Sequence, residues 1–254
     1  NKKPMSLRKG IGFCQQSEEL HCSFFICVLH YNISEVLIMK KIYTCMPLKE
    51  KHKKLLESSS SNCEFIHLGQ IKPSLEQVKD GNVIIGNIPV DILKNIPNLE
   101  FVQLNSAGTN GYSDNPDFPK NVLLANATGA YGVAISECIL ADILTLMKHM
   151  PSYIQNQSNH EWKDEGSVKS IYNSNILVLG LGDIGKEFSK SAYAMGAHIT
   201  GIKRNIKDKP DYIDKLCTMD SLYDELEKAD IIVSSLPGSK STYHLIDEEA
   251  LAHI

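Results

Sequence analysis

From Met39 onward, short apolar runs alternate with stretches whose apolar positions recur every three or four residues. "KIYTC" precedes a helical pattern through Leu55 and Leu56, and "CEFIHL" precedes one around Leu75 to Val78. "NVIIG" precedes "VDILKNI", and "EFVQLN" follows. Apolar runs of this length suit buried strands, and strands alternating with helices predict a parallel sheet with crossover helices. Ser58 to Asn62 reads as a polar turn inside this pattern, not as a linker between domains.

The pattern changes at Tyr131. "YGVAISECILADILTLMKHM", ending at Met150, is apolar on most of its circumference and predicts a helix buried on several sides. Pro151 is expected to interrupt or kink it, with a more polar helical piece continuing to about Trp162. The loop "EGSVKSIYNSN" then leads into "NILVLGLGDIGKEF", Asn175 to Phe188. Ile176 to Leu179 predicts a buried parallel strand. Ile184, Phe188, Ala192 and Met195 lie on one face of a helix that Gly196 is placed to end. We therefore expect one α/β domain over residues 39–128 and a second α/β domain over 129–254. Residues 1–38 keep neither period, hold Cys14, Cys22 and Cys27, and are expected to form an extension outside the fold.

The glycines between strand and helix carry the strongest chemical signal. Gly180, Leu181, Gly182, Asp183, Ile184 and Gly185 form a G-x-G-x-x-G segment in the strand-to-helix context where that pattern holds a dinucleotide. Gly180 would permit the tight turn, Gly182 would let the backbone approach a diphosphate, and Gly185 would let helix and strand pack closely. The diphosphate would then meet free N–H groups at the helix start. A strand-to-helix turn with no ligand would use the same glycines. The next strand, "AHITGI", ends where an acid would accept hydrogen bonds from the ribose of NAD, and Lys203 and Arg204 stand there instead. Two cations suit the 2′-phosphate of NADP, so NADP is favoured over NAD, with a solvated basic turn as the alternative.

Charge and cysteine content narrow the class. A net charge of -4 leaves no long-range field for a polyanion, which disfavours nucleic acid. The lysines at 49, 51, 53 and 54 read as the solvated face of a helix. No apolar run reaches membrane-spanning length, the longest, near Cys22 to Leu29, being closed by His30. Seven cysteines without a C-x-x-C pair point to neither a disulfide framework nor a zinc site, and Cys22, Cys27 and His30 lack a fourth metal ligand. The expectation is a cytoplasmic protein that holds no metal.

Four separated stretches, in order, resemble the D-isomer-specific 2-hydroxyacid dehydrogenase family. They are "LNSAGTNGY", "ATGAYGVAISECILADIL", "ILVLGLGDIGKEFSKSAYAMGAHITG" and "LEKADIIVSSLPGSKSTYHLIDEEAL". The resemblance implies two Rossmann-like, doubly wound parallel-sheet domains and hydride transfer between NAD(P) and a 2-keto or 2-hydroxy acid. It places Leu236, Pro237, Ser239 and Thr242 along the cofactor wall, the substrate carboxylate on the backbone of Ala107 and Gly108, and a homodimer contact along Tyr131 to Trp162. Cys138 stands where many members carry histidine and is expected to be a buried thiol. The family's catalytic Arg, Glu and His would lie beyond Ile254, so the chain is expected to be a fragment with a truncated cofactor domain, inactive alone, with no catalytic residue among these 254. None of the nine histidines fits the catalytic position. A non-catalytic dinucleotide-binding or interaction module is the rival expectation.

Overall fold

The computed structural model describes residues 39–69 and 72–254, so the expectations for the first 38 residues lie outside the described region. The described chain divides into two units. One comprises residues up to Gln103 together with Pro119–Ala125, and the other comprises Leu104–Phe118 together with Asn126–Ile254.

The first unit holds β1 (Lys40–Thr44), α1 (Glu50–Ser59), β2 (Cys63–His67), α2 (Leu75–Val78), β3 (Val83–Ile85), α3 (Val90–Leu93), β4 (Phe101–Gln103) and β5 (Leu123–Ala125). The five strands form one sheet in the order β2-β1-β3-β4-β5, and every pairing is parallel. Successive residues face opposite sides of a strand, so a sheet covered on both faces needs continuous apolar runs. Ile84 and Ile85 show this, both being fully buried. Ile42, Val83 and Ile85 cluster with Leu56 of α1.

The second unit begins its regular structure with α4 (Gly132–Met147) and α5 (Met150–Ser158), then β6 (Asn175–Leu179), α6 (Asp183–Ala194), β7 (His198–Ile202) and β8 (Lys215–Cys217). A 3-10 turn at Met219–Ser221, α7 (Leu222–Leu226), β9 (Ile231–Ser234) and α8 (Glu248–Ala252) complete it. Its parallel sheet runs β8-β7-β6-β9. Ile176, Val178 and Ile199 pack with Phe188 and Ala192 of α6 on one face, where Ile139, Leu140 and Ile143 of α4 join them. Leu177, Leu179 and Ile202 pack with Leu222, Leu226 and Ala250 on the other. Both sheets are thus of the Rossmann-like α/β kind. The chain leaves the middle of each in opposite directions, between β1 and β3 in one and between β6 and β9 in the other, and such switch points are where ligands bind in open α/β sheets.

Three expectations need correction. The helix from Tyr131 is not buried on several sides within this chain: α4 packs one face on the core and leaves Val133, Ile135 and Leu146 exposed. Cys138 falls on the outward side and is exposed, not buried. The break between α4 and α5 comes at His149, which adopts a left-handed backbone (φ 53°), while Pro151 lies in the first turn of α5, where its missing N–H costs no helical bond. His149 Nε2 donates to the Ser167 carbonyl (3.1 Å) and Lys148 Nζ to that of Lys169 (2.6 Å), which ties the break to the loop beyond α5. Among the described residues no helix is long and apolar enough to cross a membrane.

Glu225 of α7 has a side chain only 5% exposed, yet it receives hydrogen bonds from Lys215 of β8 (2.7 Å) and from Lys228 (2.8 Å). Burial pushes this carboxyl up, but the two ammonium groups outweigh it and hold the group below the usual range. Stabilisation from such a group is complete above the unfolded-state pKa of about 4.3 and is lost as the pH falls through the lower folded value. Glu225→Gln is therefore expected to lower stability by about 1–3 kcal/mol at pH 7. The difference from the unmodified chain should shrink below pH 4, as read by urea unfolding at both pH values.

Candidate functional site

Three loops emerge at the carboxyl ends of the neighbouring strands β7, β6 and β9. In the middle one, Gly180 turns the chain with φ +90°, a region that side-chain-bearing residues rarely adopt. Its N–H donates to the Ile202 carbonyl of β7 (3.0 Å). A Cβ at Gly185 would lie 2.0 Å from the Gly180 carbonyl oxygen and 2.8 Å from Ser235 Oγ, so α6 crosses the turn at a separation open only to glycine. At Gly182, nothing lies within 4 Å of such a Cβ. One glycine is pressed against its own turn and the other faces open space.

The start of α6 leaves donors unused. Its first backbone bond runs from Lys186 N–H to the Gly182 carbonyl (3.1 Å), and no side chain caps the helix. The N–H groups of Asp183 and Ile184 therefore lack intrahelical acceptors and point outward at the positive end of a 12-residue helix. Leu181 has a different part: it is buried, and its side chain fills the space above Gly201 of β7, 2.5 Å from where a Cβ there would lie. It anchors the loop from beneath.

The flanking loops frame this turn. After β7, Lys203 is half-buried, with its Nζ 3.5 Å from the Asp208 carbonyl, and Arg204 is exposed. After β9, Ser235 donates its N–H to the Leu179 carbonyl (2.9 Å) and its Oγ to the Gly180 carbonyl (2.7 Å). Sequence reasoning passed over Ser235, although it directly precedes the Leu-Pro pair. Leu236 lies against Gly180. Thr242 Oγ1 donates to the Pro237 carbonyl (2.6 Å) and accepts from Ser239 N–H (3.0 Å), so these two residues tie their own loop into shape.

The segment with Ala107 and Gly108 follows β4 in sequence but clusters with the second unit. Its carbonyls are taken, that of Ala107 by Asn126 Nδ2 (2.6 Å) and that of Gly108 by Ser106 Oγ (2.8 Å). The side chain of Asn110 from this segment packs on Gly238, 2.4 Å from where a Cβ there would lie. A cavity of about 450 Å³ opens there, lined by Asn110, Asp114, Ser239, Thr242 and His244 among others. His244 stacks on Tyr243 with ring centroids 3.9 Å apart.

A switch point with a glycine turn, unused donors and a flanking cation pair is the architecture of a dinucleotide site. Residues 140–254 match the family model described as D-isomer specific 2-hydroxyacid dehydrogenase, NAD binding domain. Among similar proteins, the D-3-phosphoglycerate dehydrogenase of Methanocaldococcus jannaschii is 25% identical over 221 residues, covering 84% of this chain and 42% of that protein. The chain spans about half the length of the curated relatives it matches. A D-isomer specific 2-hydroxyacid dehydrogenase family protein from Aeromonas salmonicida subsp. salmonicida A449 has a similar fold, with a TM-score of 0.72 at 20% identity over 82% of this chain and 67% of that one. A D-isomer specific 2-hydroxyacid dehydrogenase from Xanthobacter autotrophicus Py2, in complex with NADPH and MES, gives a TM-score of 0.67 at 18% identity over 85% and 69%.

Because the Gly180 carbonyl cannot move without breaking its bond from Ser235, Gly185→Ala is expected to displace the start of α6. Overpacking of this kind costs about 1–3 kcal/mol. A lowered urea midpoint should accompany loss of dinucleotide binding, and an unchanged midpoint would contradict the packing described.

Proposed function

We propose that this chain forms the dinucleotide-binding part of an oxidoreductase that moves a hydride between nicotinamide and C2 of a D-2-hydroxy or 2-keto acid. The observation that carries the reading is the row of unused N–H donors at the start of α6, beneath the open side of Gly182. Gly180, Gly182, Asp183 and Ile184 would hold the diphosphate through their backbone. Leu236, Pro237, Ser239 and Thr242 would wall the cofactor, and Leu181 and Gly185 would hold the turn in shape. When bound, the nicotinamide supplies or accepts the hydride. The N–H groups of Ala107 and Gly108, whose carbonyls are already bonded inward, are suited to a substrate carboxylate. No residue of these 254 is assigned the proton transfer.

Lys203 and Arg204 favour NADP, since both cations stand at the end of β7, where the adenosine ribose would lie. A homodimer is supported by the exposed apolar residues Leu146, Met150, Ile154 and Trp162 along α4, α5 and the following loop. The four described cysteines are all free thiols, which fits a reducing compartment such as the cytoplasm.

Titration of the chain with NADPH and with NADH, followed by nicotinamide fluorescence, tests the assignment. NADPH should bind about 10- to 100-fold more tightly, the scale of one charge-assisted hydrogen bond of about 1.5–3 kcal/mol. Lys203→Asp with Arg204→Ser should reverse the order. Equal affinities that the double substitution leaves unchanged would remove the NADP assignment, and no saturable binding of either would remove the dinucleotide reading.

A further inference from the structure

At the start of α4, Gly132 is buried against a charged group. A Cβ built on it would lie 2.6 Å from Asp183 Oδ1, 2.8 Å from Cγ and 2.9 Å from Oδ2, so the whole Asp183 carboxylate occupies the space where any other side chain at 132 would begin. The two helices that meet here, α4 and α6, make an extensive contact along their length. α4 has 16 residues, no acidic residue in its first turn and no side-chain cap from Tyr131. Its positive end is therefore not balanced by its own residues, and a carboxylate from α6 is favourably placed beside it.

The same carboxylate belongs to the residue whose backbone N–H heads the row of donors on α6. Its charge would repel a diphosphate held there unless it were turned aside. We propose that Gly132 is a positioning residue for the dinucleotide site: lacking a side chain, it lets the Asp183 carboxylate rest against the start of α4 and keeps that charge off the diphosphate. The inference rests on the dinucleotide reading above and adds to it a residue outside the glycine turn. With a methyl group at 132 the carboxylate must leave that position. The turn offers open space at Gly182, on the side where the diphosphate would lie.

The test is a cycle on the full chain, with NADPH as the probe. Gly132→Ala should weaken NADPH binding about 10-fold at low salt, and the loss should shrink as ionic strength screens the repulsion. Asp183→Asn keeps the shape and removes the charge, and should tighten binding about twofold. In the Asp183→Asn background, Gly132→Ala should change affinity less than about threefold. Urea midpoints read the contact itself without ligand: Gly132→Ala should cost less in an Asp183→Ala background, where the side chain it collides with is gone. Equal losses of affinity in both Asp183 backgrounds, or wild-type affinity in Gly132→Ala, would overturn the proposal. Failure of the unmodified chain to bind NADPH or NADH at all would overturn the dinucleotide reading and this role with it, an outcome distinct from the other two.

Discussion

Everything at the candidate site depends on how closely α6 passes the turn that precedes it. The Gly180 carbonyl lies where a Cβ of Gly185 would be, and Ser235 reaches from β9 to hydrogen bond that same carbonyl. This one oxygen therefore meets the helix and the third strand end at once. The direction in which α6 presents its first N–H groups follows from that meeting. So does the placing of the Leu236 loop on Gly180. The buried Leu181 above Gly201 fixes the remaining side. Backbone donors aimed in this way need no side chain to hold them, and a helix without a capping side chain keeps them open to an anion.

Much of the fold was legible because burial imposes periods on sequence. Runs such as "VII" and "NILVL" are buried on both faces of their sheets, so nearly every residue in them is apolar. Two strands escaped this reading, β5 and β8, each of three residues and at a sheet edge. "LLA" and "KLC" are too short to show a period, and their pairing is decided by neighbours far along the chain. The apolar circumference of α4 misled for a related reason. Hydrophobicity reports that a face is to be covered, but not whether the same chain covers it, so Cys138 and Leu146 remain exposed.

At the site, legibility tracked distance along the chain. The glycine turn is local, and each glycine's surroundings follow from a strand, a turn and a helix in immediate succession. Ser235 acts on a carbonyl 55 positions earlier, and Asn126 on one 19 positions earlier. Neither contact leaves a mark on neighbouring residues. Gly132 is the clearest case: within "AYGVAIS" it reads as an indifferent small residue opening a helix, and only the arrival of Asp183 from another helix makes its lack of a side chain matter.

The route of the chain between its two units has a practical consequence for dissecting the molecule. The polypeptide leaves the first unit after Gln103, returns at Pro119 to lay down β5, and departs again after Ala125. No single cut separates the units. Severing at 103 would strip the first sheet of its edge strand, and severing at 125 would take the segment with Ala107 and Gly108 away from Asn126, which holds it. The stretch from Leu104 to Ala125 behaves like a stitch passed through two pieces of cloth, so a faithful isolated unit would require the ends to be rejoined in a new order.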